Sequence, residues 1–180
     1  KEGKPEEAVA GYSELLNQCE AAGEPYVGCA IRARMARGAA SVDAGDYVAA
    51  LRDFSATRVI APRAIPPALL EGNVWYLLGR KDDAERIFAE TLALSDRKDE
   101  VAVAVEQIYY FRRDEEKTNA WIEKISTPSV REHVRCELYF QTGRLEAAVA
   151  AGKKSVAFDG GNAGAVERLG FVLKHLGRLD

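Results

Sequence analysis

The stretch Gly79-Arg80-Lys81-Asp82-Asp83-Ala84-Glu85-Arg86-Ile87-Phe88 opens with a turn glycine and continues with a short polar step. A small residue, Ala84, follows five positions after the glycine, and an aromatic residue, Phe88, follows nine positions after it. The pattern recurs, wholly or in part, from Gly3, Gly45, Gly143 and Gly177. Gly45 and Gly79 are 34 positions apart, as are Gly143 and Gly177. A fixed period near 34 residues predicts stacked helical hairpins.

Apolar residues between these turns recur at helical spacing, which predicts an all-α chain of antiparallel helix hairpins. The predicted elements are a half hairpin over 1–22, four helix pairs over 26–61, 66–95, 99–126 and 130–158, and a second half hairpin over 163–180. We expect a single repeat array over 1–180. Because the pattern begins and ends inside a hairpin, we also expect a fragment of a longer protein.

The arrangement resembles the tetratricopeptide repeat, with about five consecutive and partly degenerate repeats. The resemblance implies hairpins stacked as a right-handed α-solenoid. It also implies a small residue seven positions before each turn, where paired helices approach closely, and this holds at Gly38, Gly72, Cys136 and Gly170. Glu106 departs from that rule. Arg34 and Arg37 also depart, since the family usually has large apolar residues at their positions.

Local signals vary in strength along the chain. The turn expected at 113 reads Arg113-Asp114 and has no glycine, so the hairpin over 99–126 is degenerate. Ser129-Val130-Arg131-Glu132 has the form of a capping box and predicts a helix over 130–142. Asn162 is the predicted N-cap of a helix over 163–176.

Composition and charge restrict the partners. The net charge is −3, and basic residues form no continuous stripe, so we expect no nucleic-acid partner. No apolar run approaches the roughly 18 residues that a membrane span needs, so we expect no direct membrane insertion of this segment. The sequence is compatible with a soluble chain in either the cytoplasm or the bacterial periplasm.

The three cysteines are odd in number and lack CxxC spacing. This favours three reduced thiols that act as small apolar residues. Cys19 lies at the predicted end of one helix and Cys29 at the start of the next, which would allow a disulfide in an oxidising compartment.

Catalytic and cofactor motifs are absent from the sequence, which contains no GxGxxG, Walker-type loop, GxSxG or HExxH. We therefore predict no enzyme activity, no catalytic residue and no cofactor. His133 and Glu137 lie four positions apart on one helix face, but no third metal ligand is visible. A helical ion pair or a groove-lining pair is the favoured interpretation, and no metal site is predicted.

The resemblance implies that the first helix of each hairpin lines a concave groove, with residues three, six and ten positions before the turn facing it. The residues predicted to bind a partner there are Met35, Asn73, Tyr76, Gln107, Tyr110, His133, Glu137, Phe140 and Lys174. Tyr76, Tyr110 and Phe140 form an aromatic row on successive repeats. Such a row could contact a peptide or, alternatively, pack as core against the next hairpin.

These features predict a non-catalytic scaffold that binds a peptide or a partner domain through the groove. The alternative is a periplasmic scaffold segment of a bacterial envelope assembly, such as one for exopolysaccharide export. Exposed end hairpins would allow self-association. Groove positions carry Met35, Leu69, Val103 and His133, so the lysine, asparagine and arginine clamp that holds chaperone tails in this family is not matched.

Overall fold

A computed structural model describes residues 4–23 and 27–178, which form ten α-helices and no β-strand. The chain divides into two compact units, Lys1–Asp96 and Arg97–Asp180. The single continuous array over 1–180 stays a prediction. The predicted turn at Gly3, the predicted helix start at 26 and the final residues of the half hairpin over 163–180 lie outside the described residues.

The helices pack as neighbouring antiparallel pairs, which confirms the all-α hairpin class. In the first unit the helices are α1 Pro5–Ala21, α2 Val27–Asp43, α3 Tyr47–Ile60, α4 Ile65–Leu77 and α5 Lys81–Leu94. In the second unit they are α6 Lys98–Phe111, α7 Glu115–Ile122, α8 Pro128–Gln141, α9 Leu145–Phe158 and α10 Ala163–His175. No described helix has both the length and the apolar character needed to cross a membrane.

The helix ends correct two local expectations. Helix α7 ends at Ile122 rather than near 126. Helix α8 begins at Pro128 and has no side-chain cap bond, so the prediction of a capping box over 129–132 is wrong. Proline suits the first helical turn because its ring fixes φ and its missing N–H would have no helical partner there. Ser129 consequently lies inside α8, where its carbonyl accepts a bond from Ser155 Oγ at 2.7 Å. Asn162 is confirmed as the N-cap of α10, since its side chain accepts from the Ala165 N–H at 3.1 Å.

The turn that lacks a glycine has the same backbone geometry as the turns that have one. At Gly79 (φ +76°) the glycine N–H donates to Tyr76 O and the next N–H donates to Trp75 O, both at 3.0 Å. At Arg113 (φ +58°) the corresponding bonds reach Tyr110 O at 2.9 Å and Tyr109 O at 3.0 Å. These paired bonds are the Schellman motif that ends a helix in the left-handed conformation. The degenerate repeat therefore keeps its turn.

An aromatic ring over a glycine joins the helices of the better-matched hairpins. A Cβ atom built on Gly72 would lie 2.3 Å from the Phe88 ring, and one built on Gly38 would lie 2.6 Å from the Phe54 ring. Both rings are fully buried. In the last full hairpin the glycine is on the second helix, and a Cβ built on Gly152 would lie 3.1 Å from Leu169 of α10 and 3.2 Å from Cys136 Sγ. At Gly38 and Gly72 the partner helix fills the space, whereas at Gly152 the following helix α10 also contributes.

Gly72→Ala should therefore destabilise the chain although alanine is the better helix former. The added methyl group must displace a buried Phe88 ring, and overpacking of this kind costs about 1–3 kcal/mol in the free energy of unfolding. Gly170 occupies the same register position but has no heavy atom within 4 Å of a built Cβ. Gly170→Ala should stabilise by about 0.5–1 kcal/mol. Urea denaturation followed by circular dichroism compares the two variants, and a change of equal sign in both would contradict this packing.

Arginine–carboxylate pairs link successive helices of the first unit. Arg37 of α2 binds Asp53 of α3 through two hydrogen bonds of 2.8 and 2.6 Å, and Asp53 is only 3 % exposed. Arg58 of α3 binds the buried Glu71 of α4 at 2.9 Å. Arg34 pairs with Glu20. Arg34 and Arg37, which occupy positions that are usually apolar in the family, thus have carboxylate partners on neighbouring helices.

Cys19 and Cys29 are joined by a disulfide in the structure, with their Cα atoms 5.8 Å apart. The expectation of three reduced thiols is therefore wrong for this pair. The hairpin brings the end of α1 against the start of α2, where Leu16 and Cys19 pack on Ala30 and Ala33. Cys136 is free and fully buried, and burial raises the pKa of its thiol. Cys136 thus packs as a small apolar side chain.

Candidate functional site

A polar cleft of about 360 Å³ lies in the second unit. It is lined by α6, α8 and one residue of α10, and its polar and charged members are Glu106, Gln107, Tyr110, His133, Glu137, Gln141 and Arg168. We call it the Glu106–Glu137 cleft. Four residues predicted from the sequence to face a groove, Gln107, Tyr110, His133 and Glu137, lie here together. The structure brings these four residues together, and their role in binding stays a prediction.

Glu106 is the most unusual residue of the cleft. The residue is only 5 % exposed, and within the described ranges neither a hydrogen bond nor an ion pair joins its carboxyl to another residue, although the carboxyl oxygens are not sealed from the solvent of the cleft. Burial raises the pKa of this carboxyl to about 7, and the nearby negative charge of Glu137 acts in the same direction. A buried carboxyl without a partner is costly when ionised, so Glu106 is held near the midpoint of its titration at neutral pH.

Glu137, by contrast, is well compensated. Its carboxylate pairs with Arg168 Nε of α10 at 2.5 Å and accepts a hydrogen bond from Gln141 Nε2 at 2.9 Å. The Arg168 guanidinium also lies over the rings of Phe140 and Phe171, at 5.9 and 5.6 Å from their centroids. Cations are attracted to the faces of aromatic rings. Arg168 thereby joins the acidic part of the cleft to the Phe140–Phe171 pair.

His133 is held in its neutral form at pH 7. Burial lowers the pKa of the imidazole, Glu137 opposes this effect, and Arg168 adds to it. His133 Nδ1 is buried and lacks a hydrogen-bond partner within the described part of the chain. In the same ranges, no group of three or more histidine, cysteine, aspartate or glutamate residues is placed to hold a metal ion. The polar groups of the cleft are therefore suited to direct hydrogen bonding and ion pairing.

The remaining predicted site residues lie elsewhere. Phe140 contacts Phe171 edge to face, with the ring centroids 5.3 Å apart. Lys174 is exposed on α10. In the first unit, Met35 is half-buried and packs against the core of Ala50, Phe54 and Val74. Asn73 and Tyr76 are half-buried on α4, and Lys81 Nζ lies 5.0 Å from the Tyr76 ring centroid. Phe140 thus combines core contact with partial exposure, and Tyr76 is partly exposed beside a lysine.

Three polar members of the cleft, Glu106, Gln141 and Arg168, were not identified as site residues from the sequence. Glu106 appeared there only as a departure from the small-residue rule, and that departure was the available signal. Arg168 carried no signal, because its role depends on α10 lying beside α8. Register within one hairpin can be read from a repeat, whereas contacts between hairpins require the packed structure.

The charge state of Glu106 predicts a pH dependence of stability. Its folded-state pKa of about 7 lies above the ordinary value of 4.5, so the folded chain binds more protons between these values. Stability should therefore fall as pH rises toward and through 7, with a contribution of roughly 3 kcal/mol at about 1.4 kcal/mol per pKa unit. In Glu106→Gln this contribution is absent. Glu137, His133 and Arg168 also face the cleft, and they are common to both proteins.

Urea denaturation of the native chain and of Glu106→Gln at pH 5, 6, 7 and 8 measures the effect. The stability advantage of the variant should grow with pH and level off above pH 7.5. Glu116→Gln, an exposed carboxylate on α7, is the control and should follow the native curve. Parallel curves for native and Glu106→Gln would mean that the carboxyl is solvated.

Comparison with solved structures identifies the fold as that of tetratricopeptide repeat proteins. TTC0263, a thermophilic TPR protein of Thermus thermophilus, is similar with a TM-score of 0.50 at 16 % identity, covering 93 % of each chain. BtubC (BKLC) of P. vanneervenii gives a TM-score of 0.59 at 15 % identity, covering 98 % of this chain and 86 % of that one.

A third similar structure is the APC/C hetero-tetramer Cut9–Hcn1, with a TM-score of 0.50 at 12 % identity. It covers 93 % of this chain but 34 % of the other, so the match is to part of a longer protein. No family model matches the sequence, and no curated protein matches it. At these identities the likeness establishes the fold and leaves function to be argued from the residues.

Proposed function

We propose that this chain is a non-catalytic protein-interaction scaffold whose partner is a peptide or a protein segment. The observation that supports the proposal most strongly is the meeting of Gln107, Tyr110, His133 and Glu137 in one open cleft. These residues supply amide, phenol, imidazole and carboxylate groups beside the apolar side chains of the same cleft. An extended peptide needs both kinds of contact, because its backbone forms hydrogen bonds while its side chains fill pockets.

A protein partner fits the charge of this site better than nucleic acid does. The cleft presents two carboxyl groups and one arginine, and that arginine is already paired with Glu137. A phosphate backbone would be repelled by the carboxylates and would need free cations. The half-buried aromatic residues Tyr110 and Phe140 add apolar contact area to the same unit. Tyr76, Asn73 and Met35 are proposed to contribute in the same way from the first unit.

Site-specific crosslinking tests the proposal. Gln107→p-benzoylphenylalanine places a photoreactive group in the cleft, and Lys153→p-benzoylphenylalanine places the same group on the exposed face of α9. In extract of the source cell, a protein should be crosslinked from position 107 and not from position 153. Adding Phe140→Ala should weaken that crosslink while circular dichroism remains native.

The other outcomes separate the alternatives. Crosslinking only from position 153 would move the interaction to the opposite face and contradict the proposal. A crosslink from position 107 to a second copy of the chain would assign this face to self-association. Exposed apolar residues on α10, Val166 at 47 % and Phe171 at 51 %, would then be the surface to examine.

A second candidate function, a periplasmic scaffold segment of a bacterial envelope assembly, is supported by the pairing of Cys19 with Cys29. Disulfides persist in oxidising compartments such as the periplasm and are rare in the cytosol. Thiol alkylation without reductant, followed by mass spectrometry of protein from the source cell, checks this. Cys19 and Cys29 should remain unlabelled and linked, whereas unfolding should expose Cys136 to the reagent. Labelling of all three thiols without reductant would count against this candidate.

A further inference from the structure

The Glu106–Glu137 cleft contains an acidic group that the fold does not need. At the equivalent positions of the other hairpins the residue is small, as at Gly38 and Gly72, and the facing helix fills the space. Ile122 stands nine positions after the Arg113 turn, where Phe54 and Phe88 stand in the other hairpins. It is 1 % exposed, so this hairpin already has a buried apolar side chain at that position. Glu106 adds a carboxyl to a buried position without gaining an ion pair within the described residues. Largely buried polar groups are normally hydrogen-bonded within the protein, whereas the Glu106 carboxyl lines the open cleft without such a partner.

The charges around Glu106 indicate what would satisfy it. Glu137 is balanced by Arg168 and Gln141, which leaves the Glu106 carboxyl as the unmatched charge of the cleft. His133 is neutral because of its burial and therefore does not repel a cation. A cation placed beside Glu106 would remove the repulsion between the two carboxylates and would gain two nearby partners. Arg168 is the opposing positive charge, and its guanidinium is held against Phe140 and Phe171.

We propose that the Glu106–Glu137 cleft is a subsite for one positively charged side chain, arginine or lysine, of an extended partner peptide. The volume of about 360 Å³ lies at the small end of ligand sites, which suits one long side chain and its adjoining backbone. Glu106 binds the cationic head, Glu137 orients it from α8, and Gln107 and Tyr110 bond the backbone beside it. This inference rests on the proposed scaffold function and specifies its ligand.

Four nonapeptide libraries provide the test with the full chain. The flanking positions are randomised over neutral residues, and the central residue is arginine, lysine, citrulline or norleucine. Citrulline matches the shape of arginine without its charge. The native chain should retain the arginine and lysine libraries about tenfold or more over their neutral counterparts, because buried charge pairs contribute strongly to binding.

The matched variants separate a binding role from a structural one. Glu106→Gln keeps the shape of the side chain and should abolish the preference for the cationic libraries, while the exposed Glu116→Gln should keep it. Both variants are first required to have native circular dichroism and cooperative unfolding. The native preference should also be weaker at pH 6 than at pH 8, and Glu106→Gln should lack this change. Glu137, His133 and Arg168, which face the same group, are present in both proteins.

Each result decides the inference. Equal retention of the arginine and citrulline libraries by the native chain would overturn it, as would a preference that survives in Glu106→Gln. If no library binds but position 107 still crosslinks a partner, the cationic subsite is wrong and the scaffold function stands. If spermidine binds with the same dependence on Glu106 while no peptide does, the ligand is a free polyamine and the peptide assignment is overturned.

Discussion

The contact of a buried aromatic ring with a glycine on the partner helix sets the distance between helices in this fold. Phe88 covers Gly72 and Phe54 covers Gly38, so neither ring could stay in place if the facing residue carried a side chain. Where the second helix instead carries Gly152, the first carries the larger Cys136. Glycine and cysteine together are smaller than glycine and phenylalanine, and Leu169 of α10 fills the remaining space, at 3.1 Å from a Cβ built on Gly152. Interiors are packed at crystal-like density, so a smaller pair needs a further side chain beside it.

The hairpin that departs from this rule is the one that contains the candidate site. At Glu106 the small residue is replaced by a buried carboxyl, and Ile122 takes the place of the aromatic ring. The cost of burying a carboxyl is limited by its partial protonation near neutral pH. Local departures from a repeat rule are places where function can be sought, since proteins tend to break the rules of their fold at functional sites.

The repeat made the helices and their faces predictable. Ala84, Ala148 and Phe88 are fully buried at the register positions that the period assigns to them, and Asn162 caps α10 through local chemistry. Prediction was poorer where local signals competed. The capping-box pattern at Ser129 predicted the wrong helix start, because Pro128 begins α8. Helix α7 ends at Ile122, three residues before the apolar Ile125, which is nevertheless buried.

What the sequence could not provide were contacts between hairpins. The Arg58–Glu71 pair and the Arg168–Glu137 pair each join helices of different hairpins, so their proximity depends on packing. The candidate groove was located from register alone, and its chemical character became apparent only once α10 supplied Arg168. Tyr12 illustrates the converse, since it matches the repeat pattern but remains 37 % exposed on α1.

The left-handed turn at Arg113 keeps a cationic side chain on the surface of the second unit. A side chain in that conformation costs about 1–2 kcal/mol relative to the right-handed region, and the turn retains it in place of glycine. Arg113 and Arg144 line a hollow of about 700 Å³ that shares Tyr110 and Phe111 with the Glu106–Glu137 cleft. Glu115 lines the same hollow, so charges of both signs lie near this turn. The cation at position 113 belongs to the surface of the hollow and not to the architecture of the turn, because a glycine would give the same backbone without it.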